Sequence, residues 1–219
     1  MKKSMKVQRT IQDHVEYLMH RFAYEYAKDF SKNSIVLDIG CGSGYGDEIL
    51  ASTASAVIAL DIDESIIKYA NSKYNNEKIY FIAGDGCSLP FREKIVDLVV
   101  SFQVIEHIEP VKVLQYLKEI RRVLKNNGMC IITTPNRLLR LLPFQKPRNP
   151  EHKKEYDHKE LRSLLTKVFS KVCVQGLLGS EFVIAIERNR VYQSPFKIFK
   201  VLLKRVLEHM PNKNTHLPT

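Results

Sequence analysis

A cluster of glycines early in the chain constrains the fold more than any other feature of the sequence. The protein has 219 residues and nine glycines, yet four of these, at positions 40, 42, 44 and 46, fall within seven residues. The run VLDIGCGSG at 36–44 places the first three directly after an apolar segment. Glycine lets the backbone turn tightly and lets a ligand approach without a Cβ in the way. The run therefore predicts a strand, a ligand-binding turn and then a helix N-terminus, which favours anionic groups.

An acidic residue, Asp61, ends the next predicted strand, twenty-one positions after Gly40. A carboxylate in this place can accept hydrogen bonds from both hydroxyls of a ribose, as it does in dinucleotide-binding proteins. The dinucleotide pattern G-x-G-x-x-G itself matches poorly, because Tyr45 or Asp47 occupies the sixth position in the two registers. The dinucleotide interpretation is therefore poorly supported, although Asp61 still suits a ribose.

Short β-branched runs alternate with helical stretches through most of the chain. The predicted strands are 35–39, 56–60, 79–83, 96–101, 129–133, 172–176 and 182–187. Strands that alternate with helices favour an α/β fold, with a parallel sheet that carries helices on both faces. A segment with four prolines, 135–158, interrupts the pattern, and a loop of this length in a compact domain is usually a lid or a binding loop.

Charge is distributed unevenly around the formal net value of +10. Residues 31–110 carry six basic and twelve acidic side chains, whereas residues 111–219 carry 22 basic and eight acidic ones. This asymmetry suggests two different ligand faces.

No apolar run reaches the ~18 residues of a membrane span. Four scattered cysteines without a CxxC pair predict neither disulfides nor a zinc site, and no signal peptide is recognisable, so we expect a cytoplasmic protein.

The acidic residue and G-x-G-x-G of 38–44 resemble motif I of the class I S-adenosylmethionine-dependent methyltransferases. Further segments resemble motifs of the small-molecule branch of that family in the same order: ALDID at 59–63, FIAGDG at 81–86, VIEHI at 104–108 and TPN at 134–136. The resemblance covers about 16–187. It implies a Rossmann-like, doubly wound, mostly parallel sheet of seven strands, the last of them antiparallel, and S-adenosylmethionine as cofactor.

The family resemblance also assigns roles within a single domain, 1–219. Its expected parts are an N-terminal cap helix (7–30), a cofactor-binding core (34–134), a substrate-side loop (135–158), the remainder of the sheet (159–187) and a basic C-terminal helix (195–209). The residues expected to bind the cofactor are Asp38, Gly40, Gly42 and Gly44 at the methionine end, Asp61 at the ribose, Ile62, Asp85 and Gly86 at the adenine, Phe102 and Gln103 near the sulfonium, and Arg21 at the carboxylate.

A histidine follows the fourth predicted strand and is the candidate for a catalytic base. His107 titrates near neutrality and can take the proton of an acceptor hydroxyl, although a packing role at a helix start is an equal alternative. Ubiquinone-biosynthesis O-methyltransferases resemble this stretch and carry Glu-x-x-Glu-His there as ligands of a divalent metal. Gln103 replaces the first of those carboxylates, which a hard cation favours, so the sequence predicts no metal site.

The segment NPEHKKEY at 149–156 resembles methyltransferases associated with glycan biosynthesis. We therefore expect His152, Glu155 and Tyr156 to line the substrate side, with a solvated charge cluster as the alternative. The expected function is methyl transfer to a small-molecule or carbohydrate- or lipid-linked acceptor, at oxygen.

The sequence also allows two other functions and one other location. The basic charge of 111–219 suggests RNA as the methyl acceptor, but no RNA-binding module is recognisable, so nucleic acid is the less favoured partner. A non-catalytic partner of another enzyme is the third alternative. The basic amphipathic helix 195–209 either packs on its own domain or makes a peripheral contact with an anionic membrane. The oligomeric state is not predicted.

Overall fold

The computed structural model describes residues 11–141, 145–147 and 149–177. The chain divides into two compact units, residues 1–137 with 147–176 and residues 138–146 with 177–219. Almost all of the described residues belong to the first unit. Within the described ranges, none of the helices combines the length and the apolar character that crossing a membrane requires.

Five strands alternate with helices along the described chain. The strands are β1 (Ile35–Ile39), β2 (Ala56–Asp61), β3 (Ile79–Ala83), β4 (Val96–Phe102) and β5 (Leu124–Thr133). The helices are α1 (Ile11–Lys28), α2 (Tyr45–Ala51), α3 (Glu64–Lys73), α4 (Val113–Val123), α5 (Arg137–Arg140) and α6 (His158–Leu165), and a 3₁₀ turn covers Ile105–His107. Acidic side chains fix two helix starts: Asp63 accepts backbone N–H bonds at α3, and Asp157 forms a capping box with Glu160 at α6.

The five strands form one parallel sheet in the order β3-β2-β1-β4-β5. The strand order reverses between β1 and β4, because the chain winds outward from β1 in one direction and then returns to β4 on the other side. In open α/β sheets, ligands bind beyond the carboxyl ends of the strands at such a switch point. The glycine turn after β1 and the 3₁₀ turn after β4 flank this point.

Apolar side chains fill the space on both faces of the sheet. Successive residues of a strand point to opposite faces, and β1 shows this directly. Val36 belongs to a buried cluster that includes Ala27 of α1 and Leu50 of α2, whereas Leu37 belongs to one that includes Leu117 of α4. The doubly wound arrangement that the sequence predicts is therefore present.

The sheet of the described residues is smaller than the predicted sheet of seven strands with a last antiparallel strand. Residues 172–176 are predicted as a strand, but the structure gives them no regular secondary structure. A β-branched run becomes a strand only when neighbouring backbone pairs with it, and no segment in the described ranges pairs with this one. The other predicted strand, 182–187, the basic helix, 195–209, and the first turn of the cap helix, 7–10, lie outside the described residues.

Candidate active site

The turn after β1 adopts backbone conformations that favour glycine. Gly40, Gly42 and Gly44 have φ values of +82°, +54° and +82°, all in the left-handed region. A Cβ on Gly40 would collide with the side chain of Val104, whereas a Cβ on Gly42 would meet nothing within 4 Å. The turn is therefore tightly packed against the segment after β4 at one glycine and open to a ligand at another.

Asp61 connects the end of β2 to this turn. Its Oδ2 accepts a hydrogen bond from the Gly42 backbone N–H at 3.0 Å, and its Oδ1 accepts one from the Asp63 N–H at 3.0 Å. Ile62, which directly follows Asp61 in the sequence, is 74% exposed. Asp61, predicted to bind the ribose, and Ile62, predicted to contact the adenine, thus lie at the carboxyl end of β2.

Asp85 and Gly86 follow β3 at the same end of the parallel sheet, beside the carboxyl end of β2. Asp85 is exposed, and its Oδ1 accepts a hydrogen bond from the Cys87 N–H at 2.8 Å, which closes a short turn. A Cβ on Gly86 would lie 2.9 Å from the Tyr116 ring and 3.0 Å from the Ile39 side chain, so the backbone passes very close to α4 and β1. This packing holds the loop that bears Asp85 against the sheet.

A buried acidic group lies under the glycine turn. The Tyr24 hydroxyl of α1 donates a 2.8 Å hydrogen bond to Oδ2 of Asp38, while Oδ1 of Asp38 and both oxygens of Asp47 have no hydrogen-bond partner. Burial raises the pKa of Asp38 to about 7, and burial together with the Asp38 charge raises the pKa of Asp47 well above its ordinary range. The two carboxyls interact, so they titrate as a pair rather than independently.

The end of β4 faces the same switch point. Phe102 is buried and packs edge-on against Tyr24, with ring centroids 4.8 Å apart. Gln103 has a φ of +59°, which is uncommon for a residue with a side chain and marks a backbone held in place by its surroundings. Its backbone N–H donates to the Thr133 carbonyl at 2.9 Å, and its Nε2 donates to the Thr133 hydroxyl at 3.2 Å.

Arg21 lies on an exposed face of α1. Its Nε is 3.8 Å from Oε1 of Glu25, and its side chain is 55% exposed. The predicted contact between Arg21 and the cofactor carboxylate stays a prediction, since this ion pair is the contact that the structure gives for its guanidinium.

A second group of polar side chains lies beyond β4 and is called here the histidine cluster: Glu106, His107, His152 and Glu155. The rings of His107 and His152 pack edge-on with their centroids 4.7 Å apart, and Nδ1 of His152 is 2.9 Å from Oε1 of Glu155. The side chains of His152 and Glu155 are only 7% and 2% exposed. Burial first, and the neighbouring His152 second, lower the pKa of His107, so its imidazole is neutral at neutral pH.

Backbone hydrogen bonds hold the predicted substrate-side segment against the 3₁₀ turn. The N–H groups of Lys153 and Lys154 donate to the Glu106 carbonyl at 2.7 and 3.2 Å, and the Thr134 hydroxyl donates to Oε2 of Glu106 at 2.9 Å. Tyr156 forms an isolated β-bridge with Asn136 and is buried in the apolar cluster around α4. A lining role for Tyr156 on the substrate side stays a prediction, while its packing role is clear.

The sequence assigns no role to Tyr24 or Asp47, and it includes Thr134 only as part of the TPN segment. Tyr24 carries a weak signal, since it lies between apolar positions of the cap helix. Asp47 carries none, because an acidic residue in the first turn of a helix is ordinary.

Within the described ranges, a single group of side chains could hold a metal ion, namely Glu106, His107 and His152, whose ligand atoms all lie within 4.8 Å of one another.

Comparisons with known proteins agree with this geometry. Residues 37–132 match a family model described as a methyltransferase domain. A Mycobacterium tuberculosis protein named a probable S-adenosylmethionine-dependent methyltransferase is 35% identical over 159 residues, which are 72% of this chain and 57% of that protein. A ubiquinone biosynthesis O-methyltransferase of Rickettsia akari is 35% identical over 125 residues, or 56% of this chain and 48% of that protein. The chain thus spans about half the length of the curated relatives it matches.

Solved structures show the same fold at low sequence identity. The YcgJ protein of Bacillus subtilis superposes with a TM-score of 0.59 at 18% identity, covering 89% of this chain and 86% of that one. An S-adenosylmethionine-dependent methyltransferase of Mesorhizobium loti superposes with a TM-score of 0.56 at 18% identity, covering 67% of this chain and 80% of that one. With the matching family model and the sequence relatives, the conclusion is that residues 37–132 of this chain form a methyltransferase domain of the class I, S-adenosylmethionine-dependent kind.

Proposed function

We propose that the protein transfers a methyl group from S-adenosylmethionine to an oxygen atom of a small-molecule, carbohydrate-linked or lipid-linked acceptor. The observation that carries this proposal is the arrangement at the switch point. A glycine turn that is open at Gly42 and hydrogen-bonded to Asp61 lies on one side, and the largely buried histidine cluster, with His107 half-buried, lies on the other.

The residues beside the glycine turn fit the proposed cofactor. Oδ1 of Asp38 is buried without a hydrogen-bond partner, and a buried carboxylate near a cationic ligand is stabilised by it. Open space above Gly42 leaves room for the methionine part, and Asp61 presents a carboxylate to which ribose hydroxyls can donate. Asp85 and the exposed Ile62 then suit the adenine amine and the adenine face.

S-adenosylmethionine supplies a methyl group bound to a sulfonium, and an oxygen lone pair of the acceptor forms the new C–O bond as the C–S bond breaks. The protein's main task is to hold the acceptor in line, and well-oriented reactants gain roughly 7–11 kcal/mol in such steps. Phe102 and Gln103, at the end of β4, shape the wall nearest the reacting atoms.

An acceptor hydroxyl must also lose its proton, and we assign this to the histidine cluster. The neutral imidazole of His107 can accept a proton, which is then shared with the neighbouring polar groups. Transfer to oxygen is favoured over transfer to an acceptor that needs no base, because burying Glu106, Glu155 and the His152 ring beside the half-buried His107 is costly unless these groups serve the reaction. The ubiquinone biosynthesis O-methyltransferase among the relatives is consistent with this choice.

Methyl incorporation from labelled S-adenosylmethionine tests the proposal. The protein and its Asp61→Ala variant are incubated with a cell extract that is then separated into lipid, glycan, RNA, protein and small-molecule fractions. We expect label in the small-molecule, glycan or lipid fraction with the wild-type protein only. Label in RNA would support the alternative acceptor instead, and no label in any fraction despite good cofactor binding would support a non-catalytic partner.

A further inference from the structure

The histidine cluster brings together side chains that are far apart in the sequence. Glu106 and His107 belong to the 3₁₀ turn after β4, and His152 comes from a segment 45 residues later. Ligand atoms of these three residues lie within 4.8 Å of one another. Ligands of a tetrahedral ion with bonds of ~2.0–2.2 Å are roughly 3.3–3.6 Å apart, so small rotations of the side chains would close the three atoms on an ion.

Each of the two histidines has a hydrogen-bond partner of the kind that metal-binding histidines have. One ring nitrogen of His152, Nδ1, is 2.9 Å from a carboxylate oxygen of Glu155, and His107 hydrogen-bonds to the Glu151 backbone. A metal-binding histidine almost always donates its second ring N–H to a carboxylate or a backbone carbonyl, which fixes its tautomer and its orientation. Each histidine thus makes such a bond with one ring nitrogen, and its other ring nitrogen can serve as a metal ligand.

Glu155 gives an independent sign of a missing positive charge. Its side chain is 2% exposed, and its Oε2 has no hydrogen-bond partner. The lysines of the same segment do not compensate it, because Lys153 pairs with Glu109 at 3.2 Å and Lys154 pairs with Glu160 at 3.3 Å. A buried carboxylate is costly unless a cation or hydrogen bonds balance it. A cation held by His152 would balance Glu155 through the imidazole.

We propose that Glu106, His107 and His152 bind a divalent transition-metal ion of the zinc or cobalt class, with Glu155 as the residue that orients His152. Two imidazoles and one carboxylate favour such ions, whereas magnesium and calcium favour sets of oxygen ligands. The carboxylate-rich motif of the ubiquinone-biosynthesis enzymes is interrupted at Gln103. In this chain a histidine from the 149–157 segment takes the third place, which changes the class of ion that the site selects.

The role of the ion rests on the proposed methyl transfer, whereas its binding does not. Three protein ligands leave a coordination position for the acceptor oxygen. Coordination lowers the pKa of a bound hydroxyl, so the acceptor loses its proton to water, and the resulting oxygen lone pair then forms the C–O bond as the C–S bond breaks. With the ion bound, His107 is a ligand and no longer the free base.

Cobalt titration of the full chain tests the proposal directly. Protein freed of metal with a chelator is titrated with Co²⁺ while its visible absorption is recorded, and bound metal is counted by mass spectrometry. We expect one ion per chain, displaced by Zn²⁺ and not by excess Mg²⁺. His107→Ala and His152→Ala should abolish the absorption, and Glu155→Gln should weaken binding by about 10–100-fold. His158→Ala, at the exposed start of α6, is the matched control and should bind as the wild type does.

His152→Gln, together with circular dichroism of every variant, separates loss of the ligand from loss of folding. Wild-type affinity in folded His152→Ala or His152→Gln would overturn the proposal, and so would displacement of cobalt by magnesium at equal concentration. Metal binding without methyl transfer would contradict the proposed function and support the metal site. Full methyl transfer in chelated protein that binds no cobalt would remove the site and leave the function.

Discussion

The two sides of the switch point differ in how they meet solvent. The cofactor side consists of the glycine turn 40–44, Asp61 and Asp85, and it reaches solvent at Ser43, at Asp85 and at the neighbouring Ile62, which is 74% exposed. The histidine cluster on the other side is closed by the segment 149–157, and the side chains of His152 and Glu155 are 7% and 2% exposed. One side is thus accessible from solvent, whereas the other holds His152 and Glu155 away from water and leaves His107 half-buried.

This difference indicates that the two sides contribute to different steps, cofactor binding and methyl transfer. Groups at the open side make hydrogen bonds that water competes for, so they contribute chiefly to affinity. Groups in the closed side interact in a medium of lower dielectric constant, so they contribute chiefly to the reaction. Variants on the closed side should therefore change chiefly the rate of methyl transfer, and variants on the open side chiefly the affinity for the cofactor.

The largest expected effect is on the reaction rate and comes from the closed side. His107→Ala should lower the rate of methyl transfer by about 10²–10⁴-fold, because the acceptor hydroxyl then loses the group that assists its deprotonation. Its affinity for S-adenosylmethionine should stay within about twofold of the wild type. Rates with saturating cofactor measure the first quantity and equilibrium dialysis the second. A parallel loss of cofactor affinity would show that the two sides are not separate.

The reverse result is expected at the open side. Asp61→Ala should weaken cofactor binding by at least about 10²-fold, because two hydrogen bonds to a charged acceptor are worth about 1.5–3 kcal/mol each. Equilibrium dialysis with labelled cofactor measures the change. Glu64→Ala, on the exposed start of α3 next to this site, is the matched control and should bind as the wild type does. An unchanged affinity in Asp61→Ala would remove the ribose assignment.

A pH-dependent stability is expected from the buried pair under the turn. The pKa of Asp38 is raised from 3.8 to about 7 in the folded protein, and that of Asp47 is raised as well. The stability from this pair is therefore fully present below pH ~4 and is lost as the pH rises toward and through ~7.

Asp47→Asn removes one of the two charges and keeps the shape. Without cofactor, this variant should be more stable than the wild type by about 1–3 kcal/mol at pH 8, and equal to it near pH 4. Urea unfolding at the two pH values measures this difference. Equal stability of the two proteins at pH 8 would show that Asp47 is already compensated in the folded state.

The smallest expected effect is at the edge of the open side. Arg21→Ala should weaken cofactor binding by only about two- to fivefold, because an exposed ion pair contributes about 0.2–1 kcal/mol. Glu25→Ala, which removes the partner of Arg21, serves as the comparison variant and should leave the affinity unchanged or slightly improved. If Arg21→Ala also leaves the affinity unchanged, the role of Arg21 is limited to its pair with Glu25.

The cofactor side could be predicted from the sequence because its residues follow directly after strands. In a parallel sheet the carboxyl ends of neighbouring strands meet, so Gly40 after β1, Asp61 after β2 and Asp85 after β3 lie at one edge without any further information. The five strands found in the described residues follow from the same alternation of strands and helices.

The closed side could not be predicted in the same way. His152 reaches His107 through a segment whose path depends on backbone hydrogen bonds to Glu106, and no periodicity in the sequence records those bonds. Asp47 was missed because its burial depends on the packing of α1 and β1 around it. The strand predicted at 172–176 needs a neighbour in the sheet, and local β propensity carries no information about that neighbour.

Calorimetric titration of the wild-type protein with S-adenosylmethionine is the decisive measurement for cofactor binding at the glycine turn. We expect saturable heat with one site per chain, and competition by S-adenosylhomocysteine, which keeps the ribose and adenine groups that Asp61 and Asp85 are proposed to bind. A folded protein that gives no heat with the cofactor, and shows no change in melting temperature in its presence, would contradict cofactor binding at this site.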